Sequence, residues 1–142
     1  MLRKLSIGLI GLLLCSAAIG QDPAAKRESA EQAARSWLAL VDHSNYGQSW
    51  QEAASLFQAK ISKADWEKAL NQVRAPLGAA GNRTLMGSMY QTDLPNVPKG
   101  EYVVIQYKTS FAGTAPMIET ITPMLDKDGK WHVSGYFLKP AN

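Results

Sequence analysis

Residues 102–111 read YVVIQYKTSF, and the fold turns on how this stretch is read. β-branched and aromatic side chains dominate it, which is the composition of a pleated, half-buried strand. Alternation then places Val103, Ile105, Tyr107, Thr109 and Phe111 on one face, expected to point inward, with Gln106 and Lys108 on the other. Downstream lie two more strand signals, Met117–Leu125 and Trp131–Leu138, joined by the short connectors AGTAP and DKDGK. On the last of these, Trp131, Val133, Gly135 and Phe137 are expected to face inward. Upstream, Thr92–Glu101 carries Pro95 and Pro98, and before it Arg83–Gln91 is a weaker strand interrupted by Gly87. Connectors this short join antiparallel neighbours, so the four strands are expected to form a meander.

Before Gly81 the period changes from two to 3.6. Ala30, Ala33, Ala34, Trp37, Leu38 and Val41 mark one face of a helix that begins near Glu28. Trp50, Ala53, Ala54 and Phe57 mark a second helix beginning near Tyr46. Trp66, Ala69, Leu70 and Val73 mark a third, which Ser62 caps and Ala75-Pro76-Leu77-Gly78 ends. Helical spacing accounts for Trp37, Trp50 and Trp66 as core residues. The expected class is α+β, three N-terminal helices packed on a curled four-stranded antiparallel meander sheet. By analogy of element order, the arrangement resembles the cystatin-like and nuclear-transport-factor-2-like folds.

The chain has 142 residues, 46% apolar and 19% charged, which suits one globular domain, placed at residues 28–139. Residues 1–20 have the pattern of a cleaved signal peptide. Arg3 and Lys4 precede the apolar run Leu5–Leu14, and Ala18-Ile19-Gly20 offers small side chains for cleavage before Gln21. Leu14 is a poor residue before a lipid-modified Cys15. The seventeen uncharged residues 5–21 are short for a membrane span, so no stable membrane anchor is expected after cleavage. Residues 21–27 are read as a flexible lead. Removing the leader takes away the sole cysteine and lowers the net charge from +3 to +1. A nearly neutral surface gives no basis for nucleic-acid binding. Export to the periplasm or secretion from a bacterium is the expected localisation.

Four blocks in order, WLALVDHSNYGQSWQEAASLF, WEKALNQVRAPLG, GEYVVIQYKTSF and ETITPMLDKDGKWHVSGYF, resemble an exported bacterial family known as domain of unknown function 4019. The resemblance implies no activity, cofactor or catalytic residue. It does imply glycine where Ser44 stands, because a left-handed turn at a helix end favours glycine.

Asp42, His43 and Ser44 are the residue types of a serine-hydrolase triad, but neighbours in sequence cannot converge in space. They are read as the end of the first helix, with Ser44 or Asn45 capping the next. No nucleophile elbow, phosphate loop or dinucleotide fingerprint is present. Asp126-x-Asp128-Gly129 resembles the start of a calcium loop without its later ligands, and is read as a hairpin turn. His43 and His132 lack spaced carboxylates, so neither a metal nor a cofactor is expected.

The candidate pocket or rim residues are Arg83, Tyr107 and Glu119. Glu119 has two readings, set by strand register. A two-residue turn at Gly113-Thr114 puts it opposite Lys108 on the outer face, the reading preferred because burying an unpaired carboxylate is costly. A connection of odd length puts it in the core beside Tyr107, where it could act as an acid or base. The expected function is a non-enzymatic domain that binds a protein partner or a small apolar ligand. The alternatives are an isomerase- or hydrolase-type enzyme using Glu119, and a cystatin-like inhibitor acting through loop 92–101.

Overall fold

The computed structural model describes residues 21–142; the leader assigned to residues 1–20 lies outside them. Helix α1 spans Pro23–Asp42. It therefore starts five residues before the apolar stripe suggested, and residues 23–27 are helical rather than a flexible lead. The cause is local: the Asp22 side chain accepts a 2.8 Å hydrogen bond from the Ala25 N–H, and Pro23 fits the first helical position.

Among the described residues, the helical part holds four α-helices in place of the expected three. The second expected helix divides into α2 (Tyr46–Glu52) and α3 (Ser55–Lys60), with Ala53 and Ala54 extended between them. Tertiary bonds make the break. The Ala54 N–H donates to the Val133 carbonyl at 2.8 Å, and the Ser55 N–H and hydroxyl both donate to the Asp126 carboxylate. Helix α4 spans Lys63–Val73 with Ser62 as its cap, and a 3₁₀ turn at Ala75–Leu77 ends on Gly78 at φ +78°.

Strands β1 (Ala80–Gln91), β2 (Tyr102–Phe111), β3 (Thr114–Leu125) and β4 (Trp131–Pro140) form one antiparallel sheet in sequence order. The α+β class and the meander are as the sequence led us to expect. Helix α1 lies across one face and touches all four strands. Ala30, Ala34, Trp37, Leu38 and Val41 of α1 pack there on Val103, Ile105, Tyr107, Ile121 and Val133. Trp37 and Trp66 are buried, and both are held by one serine. Their indole N–H groups donate to the Ser49 carbonyl at 2.8 Å and the Ser49 hydroxyl at 2.9 Å. Trp50 packs at the margin of this core. No helix among the described residues is long and apolar enough to cross a membrane.

Among the described residues, the sheet has four register shifts, two between β1 and β2 and one in each later strand pair, and a proline sits at each of the latter two, which reset the faces of β3 and β4. Phe111 pairs with Thr114 and Thr109 with Met117, so Ala115-Pro116 together oppose Ser110. On β4, Ser134 is the extra residue between the pairs Thr122–Gly135 and Pro123–Val133. Proline has no N–H for the ladder, so interior strand prolines collect at such irregularities. The Ser134 hydroxyl donates instead to the Thr122 carbonyl at 2.8 Å. Beyond this bulge the inward residue is Tyr136, 9% exposed, whereas Phe137 is 69% exposed. The inward assignment of Phe137 is thereby corrected.

Candidate functional site

The β3 bulge decides the position of Glu119. The turn itself has two residues, Ala112-Gly113, and the added bulge residue makes the whole connection odd. Glu119 consequently pairs with Tyr107, and Lys108 pairs with Ile118. The preferred outward pairing of Glu119 with Lys108 is overturned: Glu119 is wholly buried. The cost that argued against burial is met by partners. Arg83 Nε donates to Glu119 Oε1 at 2.7 Å, Thr109 donates to the same oxygen, and the Tyr136 hydroxyl donates to Oε2. Arg83 reaches inward from edge strand β1 and also forms a bidentate pair with Asp42, at 2.9 and 3.0 Å. Asp42 accepts a further bond from Arg74 at 3.1 Å, and the Arg74 guanidinium lies 4.4 Å from the centre of the Phe111 ring.

Two arginines and two acids thus form a charge-balanced group between the end of α1, the end of α4 and the sheet. Burial alone would push the Asp42 carboxyl up, but the hydrogen bonds and charge of Arg83, then of Arg74, outweigh it and hold it below its usual range. Burial likewise works against the Arg83 cation, and its bonds to Asp42 and Glu119 reverse that and raise it. Burial, with the adjacent Glu119 charge, pushes the Tyr136 hydroxyl up, so this group stays a neutral donor.

Of the three residues singled out in the sequence, Arg83 and Glu119 are directly bonded. Tyr107 lies opposite Glu119 in the ladder, but its buried hydroxyl has no hydrogen-bond partner among the described residues. Sequence reasoning missed Asp42, Arg74 and Tyr136 as members of the group. Spacing places Asp42 at a helix end and is silent on its distant partners, and the alternation that sends Phe137 inward leaves Tyr136 outward until the Ser134 bulge is counted. The clefts described below and elsewhere on the surface are lined by residues other than Arg83, Tyr107 and Glu119. The group's chemistry is accordingly that of a clamp: each Glu119 oxygen is engaged by donors and none is open to solvent.

An apolar cleft of about 420 Å³ opens beside it, at the β4 bulge. Phe57, Ile61 and Trp66 make one wall; Leu94, Pro95 and Val97 of loop 92–101 make the other. Thr122, Gly135 and Tyr136 line its base, with Lys60 and Phe137 also bordering it. The loop wall is fixed by the Tyr102 hydroxyl, which donates to the Pro98 carbonyl at 2.6 Å. Tyr136 is common to both features, its ring in the cleft and its hydroxyl on Glu119.

The Asp126–Lys130 segment is a hairpin turn, with the Gly129 N–H bonded to the Asp126 carbonyl at 2.9 Å. No cluster of three potential metal ligands occurs among the described residues. No curated protein matches the sequence. A family model described as "Protein of unknown function (DUF4019)" matches residues 33–136, from the middle of α1 to Tyr136 on the cleft. The matched span takes in the second half of α1, helices α2 to α4, loop 92–101, strands β1 to β3 and the first part of β4, and the chain belongs to the DUF4019 family.

Proposed function

We propose that this chain is an exported, non-enzymatic binding domain that takes a small apolar ligand in the cleft between loop 92–101, α3, α4 and β4. The carrying observation is the apolar lining of that cleft, whose volume of about 420 Å³ lies within the range of small-molecule sites. Its walls are side chains already fixed by the core and by the Tyr102–Pro98 bond, so the site is pre-formed. The enzyme alternative needs Glu119 to reach a substrate, and burial under three donors argues against that. The inhibitor alternative assigns recognition to the loop that here forms a cleft wall.

Gly135 supplies the test. Its φ is not left-handed, and an added Cβ would meet only ordinary contacts, Phe137 at 3.6 Å and Thr122 at 3.9 Å. Gly135→Leu should therefore keep the fold, checked by circular dichroism, and fill the cleft. A neutral fluorescent probe such as N-phenylnaphthylamine should bind saturably to the native protein and at least about tenfold more weakly to the variant, the scale of losing one well-buried apolar contact region. Equal binding to both proteins would overturn the cleft as the site. Export rests on the pattern of residues 1–20; the N-terminus of protein recovered outside the cytoplasm of a bacterial host should be Gln21. Retention of the full chain in the cytoplasm would contradict it.

A further inference from the structure

Resting on that reading, we infer that the cleft's ligand is an anionic amphiphile, an apolar chain ending in a single carboxylate-like head held by Lys60. Charge complementarity carries the inference. Among the described residues, Lys60 is the sole charged one lining the cleft, and no Asp or Glu borders it. The Lys60 ammonium is exposed and forms no salt bridge with any described residue.

Thr122 adds a neutral hydroxyl to the lining, and the hydroxyls of the other three are already committed. The Tyr136 hydroxyl donates to Glu119, the Tyr102 hydroxyl to Pro98, and the Ser134 hydroxyl to the Thr122 carbonyl. What a ligand meets is thus an apolar trough with one free cation at its border. A neutral apolar molecule leaves that cation unused, and a cationic one is repelled by it. An anionic head on an apolar chain satisfies both parts. Gly135 agrees with this. Neither its φ nor a close backbone neighbour demands glycine there, and a Cβ would meet only ordinary contacts with Phe137 and Thr122, both of the cleft lining.

The test uses the full chain and three monomeric ligands of equal chain length, dodecanoate, dodecanol and dodecyltrimethylammonium, displacing the neutral probe. Dodecanoate should displace it at about three- to tenfold lower concentration than dodecanol, the scale of one partly exposed charge pair, and the cation should be weakest. Lys60→Gln should bring dodecanoate and dodecanol together, and Lys60→Glu should reverse the order of anion and cation. Both substitutions are on the exposed surface, so folding is not at issue. Equal displacement by dodecanoate and dodecanol in the native protein, or an order indifferent to Lys60, would overturn the inference while leaving the cleft reading intact. Probe binding with no displacement by any chain would do the same. Failure of the probe itself to bind would remove both.

Discussion

Ser44 has φ +61°, in the left-handed region where a Cβ is crowded, and it follows helix α1 directly. The bonds around it form a Schellman ending: Asn45 N–H to the Leu40 carbonyl at 2.8 Å, and Ser44 N–H to the Val41 carbonyl at 3.0 Å. This is the position where the family resemblance implies glycine, and the backbone explains why. Ser44→Gly should stabilise the protein by about 0.5–1 kcal/mol, relief of the left-handed penalty less the entropy of glycine, read from the urea midpoint. A loss of stability would mean that the serine side chain contributes something its exposure conceals. The expected capping role fails here, since neither Ser44 nor Asn45 makes a side-chain cap to α2. The neighbours of Ser44 diverge as sequence spacing requires. His43 Nδ1 bonds the Ala39 carbonyl at 2.7 Å, while Asp42 turns to Arg83 and Arg74. The turn conformation was legible because it is local. The partners of Asp42 stand 32 and 41 residues away.

At the scale of elements, the β3–β4 hairpin shows how a turn can shape a helix. Asp126 begins the turn and its carboxylate caps α3 at Ser55, while His132 bridges the Asp128 carboxylate at 2.7 Å and the Glu52 carbonyl at 3.0 Å. Burial works to lower the His132 pKa, but the Glu52 and Asp128 bonds outweigh it and raise it above the ordinary 6.5. A raised folded pKa means that protonation favours the folded state. The stabilisation is complete below about 6.5 and is lost as pH rises through the folded value. Thermal melts of native protein and His132→Gln should therefore differ most near pH 5.5 and converge near pH 8.5, about a unit or two on either side of the transition. An equal difference at both pH values would show that His132 acts only through its neutral hydrogen bonds. Strand identity, the Asp128-Gly129 turn and the meander order were readable from composition and spacing. The bulges were not, although Pro116 and Pro123 marked where a ladder could fail. A proline signals a missing donor without saying which strand gains the residue.

Across the whole molecule, the Asp42–Arg83–Glu119 chain joins α1 to the sheet, and Arg74 ties in the end of α4. Removing one charge from such a buried group leaves the opposite charge uncompensated. Glu119→Gln should cost about 2–4 kcal/mol in denaturant unfolding, less than a fully orphaned pair because Arg83 keeps Asp42. An outward Glu119 would have made that substitution nearly neutral, so a neutral result would contradict the register described above. The α+β class, the strand order, the core face of β2 and the helical tryptophans were determined by the sequence alone, because each depends on periodicity within one element and on short connectors. The facing of Glu119, the exchange of Tyr136 for Phe137, the division of the second helix and the meeting of clamp and cleft at Tyr136 were decided only by the tertiary structure. Each depends on a one-residue offset between strands or on a hydrogen bond across the fold, and a period-two pattern has the same appearance on either side of such an offset.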